Sequence, residues 1–131
     1  MATRVQDWLR QAAHDLEVAH TTMDNGQFDW ACFASQQAAE KALKALYQHH
    51  HAEGWGHFLD HLVAALVAEE PGLVPLREGA KILDKFYIPT RHPNGLDAGA
   101  PADAYTRTES ELAIGHATRI VEYCQARCRP A

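Results

Sequence analysis

Between Phe28 and Tyr47 the chain reads FDWACFASQQAAEKALKALY, in which Ala31, Ser35, Ala38, Ala42 and Ala45 recur at three- and four-residue steps. On an α-helix these positions form one stripe with almost no side-chain bulk, so another helix can come close along it. Leu43 and Leu46 fill the adjoining stripe, and Glu40 and Lys44, one turn apart, are expected to pair at the surface. A helix of this kind is built to be packed against.

The flanking segments carry the same helical period. Val5, Trp8, Ala12, Leu16, Ala19 and Met23 predict a first helix from about Arg4 to Met23, stopped by the turn-forming Asp24-Asn-Gly-Gln27. Asp29 is the expected N-cap of the second helix, which runs to about His50 and makes an antiparallel hairpin with the first. After a loop at 50–56, Leu59, Leu62, Val63, Leu66 and Val67 define a shorter helix ended by Glu70-Pro-Gly72. A further helix from about Val74 to Tyr87 is expected to bury Leu76, Ala80, Leu83 and Tyr87, with Pro75 in its first turn.

The longest irregular segment, Ile88 to Tyr105, carries Pro89, Pro93, Pro101, Gly95 and Gly99, and long loops in compact domains are usually functional or disordered. Thr106-Arg-Thr-Glu109 and Thr108-Glu-Ser-Glu111 both read as capping boxes opening a last helix that turns Ala113, Ala117, Ile120, Val121 and Cys124 inward. No strand pattern or repeat occurs. The expected architecture is all-α, an up-and-down bundle of four to five helices forming one domain over 1–131.

With 131 residues and 47% hydrophobic content, one core can be buried. The lack of an 18-residue apolar run or a signal-peptide core predicts a soluble, cytoplasmic protein. Cys32, Cys124 and Cys128 lie in helical patterns and read as reduced core thiols. A net charge of −5 opposes non-specific nucleic-acid binding, so any RNA or nucleotide contact must be local.

Several catalytic chemistries find no motif. His49, His50 and His51, or a His57/His61 pair one turn apart, invite a metal reading, but a helical histidine pair supplies two of the four ligands a structural zinc requires. Cys124 and Cys128 could form half a site and are equally explained as small hydrophobes. There is no GxSxG elbow or glycine-rich phosphate loop, no cofactor is expected, and Asp15, Glu17, Asp60 and Glu69 read as solvated carboxylates.

The segment Tyr87-Ile-Pro-Thr-Arg-His-Pro-Asn-Gly95 is different. It gathers Tyr87, Thr90, Arg91, His92 and Asn94 among prolines that lower the entropy cost of holding polar groups ready. Arg91 can grip a phosphate or carboxylate with two parallel hydrogen bonds, and His92 can exchange a proton near neutral pH. Lys81 and Lys85 add positive charge just upstream. The structural alternative is that Arg91 ties the loop to a helix C-terminus or to an acidic partner chain.

Taken together, Trp8-Leu-Arg-Gln-Ala-Ala-His-Asp-Leu16, the helix from Phe28 to Tyr47, Gly54-Trp-Gly-His57 and the Tyr87–Gly95 loop resemble the HEPN domain family across nearly the whole chain and in the right order. The resemblance implies a helical bundle that dimerises, often encoded beside a minimal nucleotidyltransferase as a toxin–antitoxin-like pair, with a nucleotide-binding role recorded in the family name. Many relatives are metal-independent ribonucleases that use an Arg, four to six intervening residues and a His near the start of the final helix. Here Arg10 and His14 are separated by three residues and Arg107 and His116 by eight, so no catalytic pair is carried over. His92 stands where similar loops usually have Tyr. The leading expectation is therefore a non-catalytic homodimer that binds a nucleotide, RNA or a nucleotidyltransferase partner through Arg91, His92, Asn94, Tyr87, Thr90, Lys44 and His57. A ribonuclease with a diverged Arg/His site and a purely structural subunit are the alternatives.

Overall fold

The computed structural model describes residues 4–88 and 90–130. In chain order its helices are α1 (Val5–Asp24), α2 (Phe28–His49), α3 (Leu59–Leu66), α4 (Arg77–Asp84), α5 (Pro101–Ala104) and α6 (Arg107–Arg127), with 3-10 turns at Pro71–Leu76 and Pro93–Gly95. No strand occurs among the described residues. The chain folds as the expected all-α up-and-down bundle, with α1, α2 and α6 as its long members and α3 and α4 closing the remaining side of α2. None of its described helices is long and apolar enough to cross a membrane.

The small-residue stripe explains the arrangement. Ala31, Ser35, Ala38, Ala42 and Ala45 are all wholly buried, which lets neighbouring backbones approach α2 closely. Leu43 and Leu46 meet Leu59, Val63, Leu73, Leu83 and Ile120 in the main core. Cutting one of these leucines to alanine would cost about 2–5 kcal/mol, from lost burial and the cavity left behind. All three cysteines are buried and free.

Local chemistry shifts several expected boundaries. Asp29 does not cap α2: Gln27 occupies the N-cap position without a side-chain bond. The turn is completed by Gly26 at φ 77°, so the helix starts one residue later, at Phe28, and leaves Asp29 in its first turn. Its carboxylate still faces the positive end of the helix dipole there. The expected helix from Val74 to Tyr87 is split, because Pro75 lies in the 3-10 turn and α4 spans only Arg77–Asp84. Proline has no N–H to contribute to an α-helical ladder, which suits it to this short, tighter turn. Phe86 is buried in the core, whereas Tyr87 is half-buried beyond the helix end.

Of the two candidate capping boxes only Thr106–Glu109 forms, its side chains and backbone bonding reciprocally, while Thr108 lies inside α6. The 88–105 segment is partly ordered by the Pro93–Gly95 turn, by α5 and by edge-on packing of Phe86 against Tyr105 at 6.0 Å. Pro89 lies outside the described residues.

Glu70 does more than end a helix. It is 1% exposed and accepts hydrogen bonds from His50 Nε2 at 2.7 Å, the Tyr123 hydroxyl at 2.7 Å and Arg127 Nε at 2.8 Å. One carboxylate thereby fastens the ends of α2 and α6 to the Pro71–Leu76 turn. Beside it His51 takes a left-handed conformation, φ 59°, at the position after the α2 C-cap. The histidine run thus serves helix termination and this clamp, and among the described residues no three His, Cys, Asp or Glu side chains converge to hold a metal ion.

Candidate functional site

Arg91 is positioned by the end of α4. Thr90 is 2% exposed, and its hydroxyl donates to the carbonyl oxygens of Phe86 and Tyr87. The backbone N–H groups of Arg91 and His92 both donate to the Ile88 carbonyl, at 3.0 and 3.3 Å. This local tie carries the Arg91 guanidinium over two rings of α2, with its central carbon 4.9 Å from the centre of Trp30 and 4.6 Å from that of Phe33. Among the described residues no acidic side chain pairs with it. The loop is therefore anchored to aromatic faces, a contact worth about 0.5–1 kcal/mol at an exposed position, and the planar fork of donors stays available.

The stacking continues beyond Arg91. Phe33 lies 6.1 Å from Tyr87 at 25°, and Tyr87 lies 4.9 Å from His57 at 19°. His57 is on an extended approach to α3 rather than on a helix, so it does not share a helical face with His61. Its Nδ1 donates to the Glu40 carboxylate at 3.1 and 3.2 Å. Lys44 Nζ donates to the same carboxylate at 2.9 Å, and Gln36 Nε2 donates to it at 3.2 Å and to the His57 carbonyl at 3.1 Å. Lys44 Nζ also lies 6.0 Å from the centre of the Trp8 ring.

This overturns the expectation of a surface Glu40–Lys44 pair. The two residues do pair, but Glu40 is 5% exposed, because the segment at 54–57 folds over α2 and lays His57 on the carboxylate. A buried carboxylate must be compensated by donors, and here three side chains supply them. Asp60 is likewise no lone surface charge: Arg77 Nε donates to it at 3.0 Å and holds its carboxyl below the usual range, against an opposing push from burial. Asp15 pairs with Lys41.

Of the sequence-derived candidates, Lys44, His57, Tyr87 and Arg91 thus belong to one continuous row that runs from Trp30 to Trp8. Thr90 supports the row from within the protein. His92 and Asn94 are exposed on the following turn. The row also includes Trp30, Phe33, Gln36 and Glu40, which were not singled out. Their signal was available in the Trp30/Phe33 and Gln36/Glu40/Lys44 spacings, each of which places its members on one helical face.

Two openings border the row. The larger, about 860 Å³, runs along the outer face of α1 past Arg4, Asp7, Arg10 and His14. Its two arginines are already bound to Asp7, at 3.0 Å each, so its polarity is largely satisfied. The smaller, about 380 Å³, is lined by Trp8, Lys44, Gln48, Trp55 and His57 and lies directly against the Glu40 centre. The thiols take no part: burial pushes Cys32 up to about 12 and Cys128 up to about 11 and raises Cys124 as well. The spacing that failed the ribonuclease pattern is also split in space, since Arg107 stacks on Phe28 at 5.2 Å while His116 packs beside Gly79.

The HEPN domain model matches residues 5–127. The chain belongs to the HEPN domain family. Among solved HEPN-like structures, it resembles TT1696 from Thermus thermophilus at 43% identity, covering 96% of this chain and 99% of that one with a TM-score of 0.92. It is 37% identical to ST0689, an archaeal HEPN homologue, with 98% and 100% coverage and a TM-score of 0.81. An HEPN domain protein from Thermotoga maritima, tm0613, is 33% identical over 92% and 96% of the two chains, with a TM-score of 0.75. No curated protein matches the chain. The HEPN family therefore accounts for the bundle, and the row from Trp30 to Trp8 is the place where its function is sought.

Proposed function

We propose that this HEPN protein is a non-catalytic binding module that contacts a nucleotide, or a nucleotidyltransferase partner, through the Arg91 row. The carrying observation is the Arg91 guanidinium itself, stacked on Trp30 and Phe33 with no acidic partner among the described residues. Ring stacking orients the fork while its donors remain able to meet a phosphate or a carboxylate in two parallel hydrogen bonds. Trp30, 46% exposed at the end of the row, adds a flat surface for a base or a partner side chain. Buried reduced thiols suit a cytoplasmic setting. The module works as a homodimer and forms a toxin–antitoxin-like pair with a nucleotidyltransferase encoded beside it.

Calorimetric titration with nucleotides, together with association measurements against the genomically adjacent nucleotidyltransferase, tests this reading. Arg91→Ala is expected to weaken one of these interactions at least tenfold while leaving the fold intact. Absence of nucleotide binding, combined with unchanged partner association in Arg91→Ala, refutes it.

A further inference from the structure

Three stacking steps from Arg91, the same row ends in a centre of different chemistry. The Glu40 carboxylate holds His57 Nδ1 at 3.1 and 3.2 Å and Lys44 Nζ at 2.9 Å. A carboxylate on Nδ1 keeps a hydrogen there in either charge state of the ring, so any added proton goes to Nε2. Tyr87 covers one face of the ring at 4.9 Å, yet the His57 side chain remains 54% exposed and lines the cleft of about 380 Å³.

The charges around the ring decide what Nε2 presents to that cleft. On α2, Glu40 and Lys44 cancel, while Gln36 and Gln48 are neutral. Tyr87, beyond α4, contributes an uncharged ring, and Trp8 is the α1 residue that lines the cleft. Glu53, on the same connection as His57, is the one negative group lining the cleft that lacks a cationic partner among the described residues. With His57 neutral, the centre has no net charge and Nε2 accepts a hydrogen bond. With His57 protonated, the centre carries +1 and Nε2 becomes a donor beside the Lys44 ammonium.

We propose that this cleft binds an organic phosphate monoester and takes up a proton at His57 Nε2 as it does so. The inference rests on the reading that this face accepts a nucleotide, and it places the phosphate at His57 rather than at Arg91. A phosphate dianion close to the imidazole favours the protonated form and more than offsets the single charge of Glu53. The cleft is far larger than a bare phosphate, and the Trp8 and Trp55 indoles that line it suit a flat group carried by that phosphate. Proton uptake is written simply: one proton leaves solvent and bonds to Nε2, with no covalent change in the ligand.

The test is calorimetric titration of the intact protein with adenosine monophosphate at pH 7 to 8, where the ligand is already mostly a dianion, in Tris and in HEPES. The enthalpy difference between buffers reports the protons exchanged. Uptake approaching one proton per ligand is expected, with affinity falling up to about tenfold per pH unit on the alkaline side, as one-proton linkage requires. His57→Gln, checked for folding by circular dichroism, should abolish the uptake and weaken binding at least tenfold. Adenosine should produce no proton uptake.

Binding without proton uptake, unchanged uptake in His57→Gln, or no binding by the wild-type protein overturns the proposal. If Arg91→Ala eliminates binding while His57→Gln leaves affinity and proton count intact, the phosphate sits at Arg91 and only the present inference fails. If His57→Gln alone eliminates both, the phosphate sits at His57 and the Arg91 assignment fails instead.

Discussion

Replacing Glu70 with alanine withdraws one carboxylate from three donors at once: His50 Nε2 at 2.7 Å, the Tyr123 hydroxyl at 2.7 Å and Arg127 Nε at 2.8 Å. A buried bond to a charged group contributes about 1.5–3 kcal/mol. The His50 and Arg127 side chains are 29% and 52% exposed, however, and can turn to water once released. Counting each of those two at well under 1 kcal/mol and the Tyr123 bond nearly in full gives a loss of about 2–4 kcal/mol. For a chain of this size that corresponds to a fall of roughly 10 °C in Tm.

Urea unfolding followed by circular dichroism measures the loss directly, and a double-mutant cycle with Tyr123→Phe isolates the hydroxyl bond. The pH dependence gives a second readout. Burial pushes the Glu70 carboxyl up, but the bonds from Arg127, Tyr123 and His50 outweigh it and leave the group below its ordinary value of 4.5. A carboxyl lowered in this way stabilises the fold above its unfolded pKa and loses that contribution as pH falls through its folded value. The difference between wild type and Glu70→Ala should therefore be full above about pH 5 and shrink toward pH 3. A loss below about 0.5 kcal/mol at pH 7, with an unchanged urea slope, would refute the clamp.

Gly79→Ala would place a Cβ 2.7 Å from His116 Nδ1 and 3.2 Å from its Cβ, forcing α4 away from α6. It should cost about 1–3 kcal/mol in the same unfolding assay. Thr106→Ala breaks the reciprocal bonds with Glu109 and should lose about 1 kcal/mol, whereas Thr106→Ser should retain most of it. His116 Nε2 is buried without a hydrogen-bond partner among the described residues, and burial, helped by Arg119, lowers the ring's pKa. Its stability contribution is therefore lost as pH falls through the ordinary imidazole value near about 6.5 and below, so His116→Leu should gain on wild type between pH 7 and 5 in thermal melts. Arg91→Ala should change stability by no more than about 1 kcal/mol, because an exposed cation on aromatic rings contributes little more.

What the sequence determined by itself is the set of properties carried by neighbours three and four residues apart. Ala31, Ser35, Ala38, Ala42 and Ala45 declared a closely packed helix, Thr106 and Glu109 declared where the last helix begins, and the Tyr87–Gly95 segment stood out as the polar, constrained loop. What only the tertiary structure decided is the company kept across long separations. Glu40 meets His57 across 17 residues of chain and Glu70 meets Arg127 across 57, so neither partner leaves a trace in local periodicity. The burial of both carboxylates follows from the same cause: segments distant in sequence close over them, and once water is excluded each charge persists only because donors from other elements have arrived with the fold.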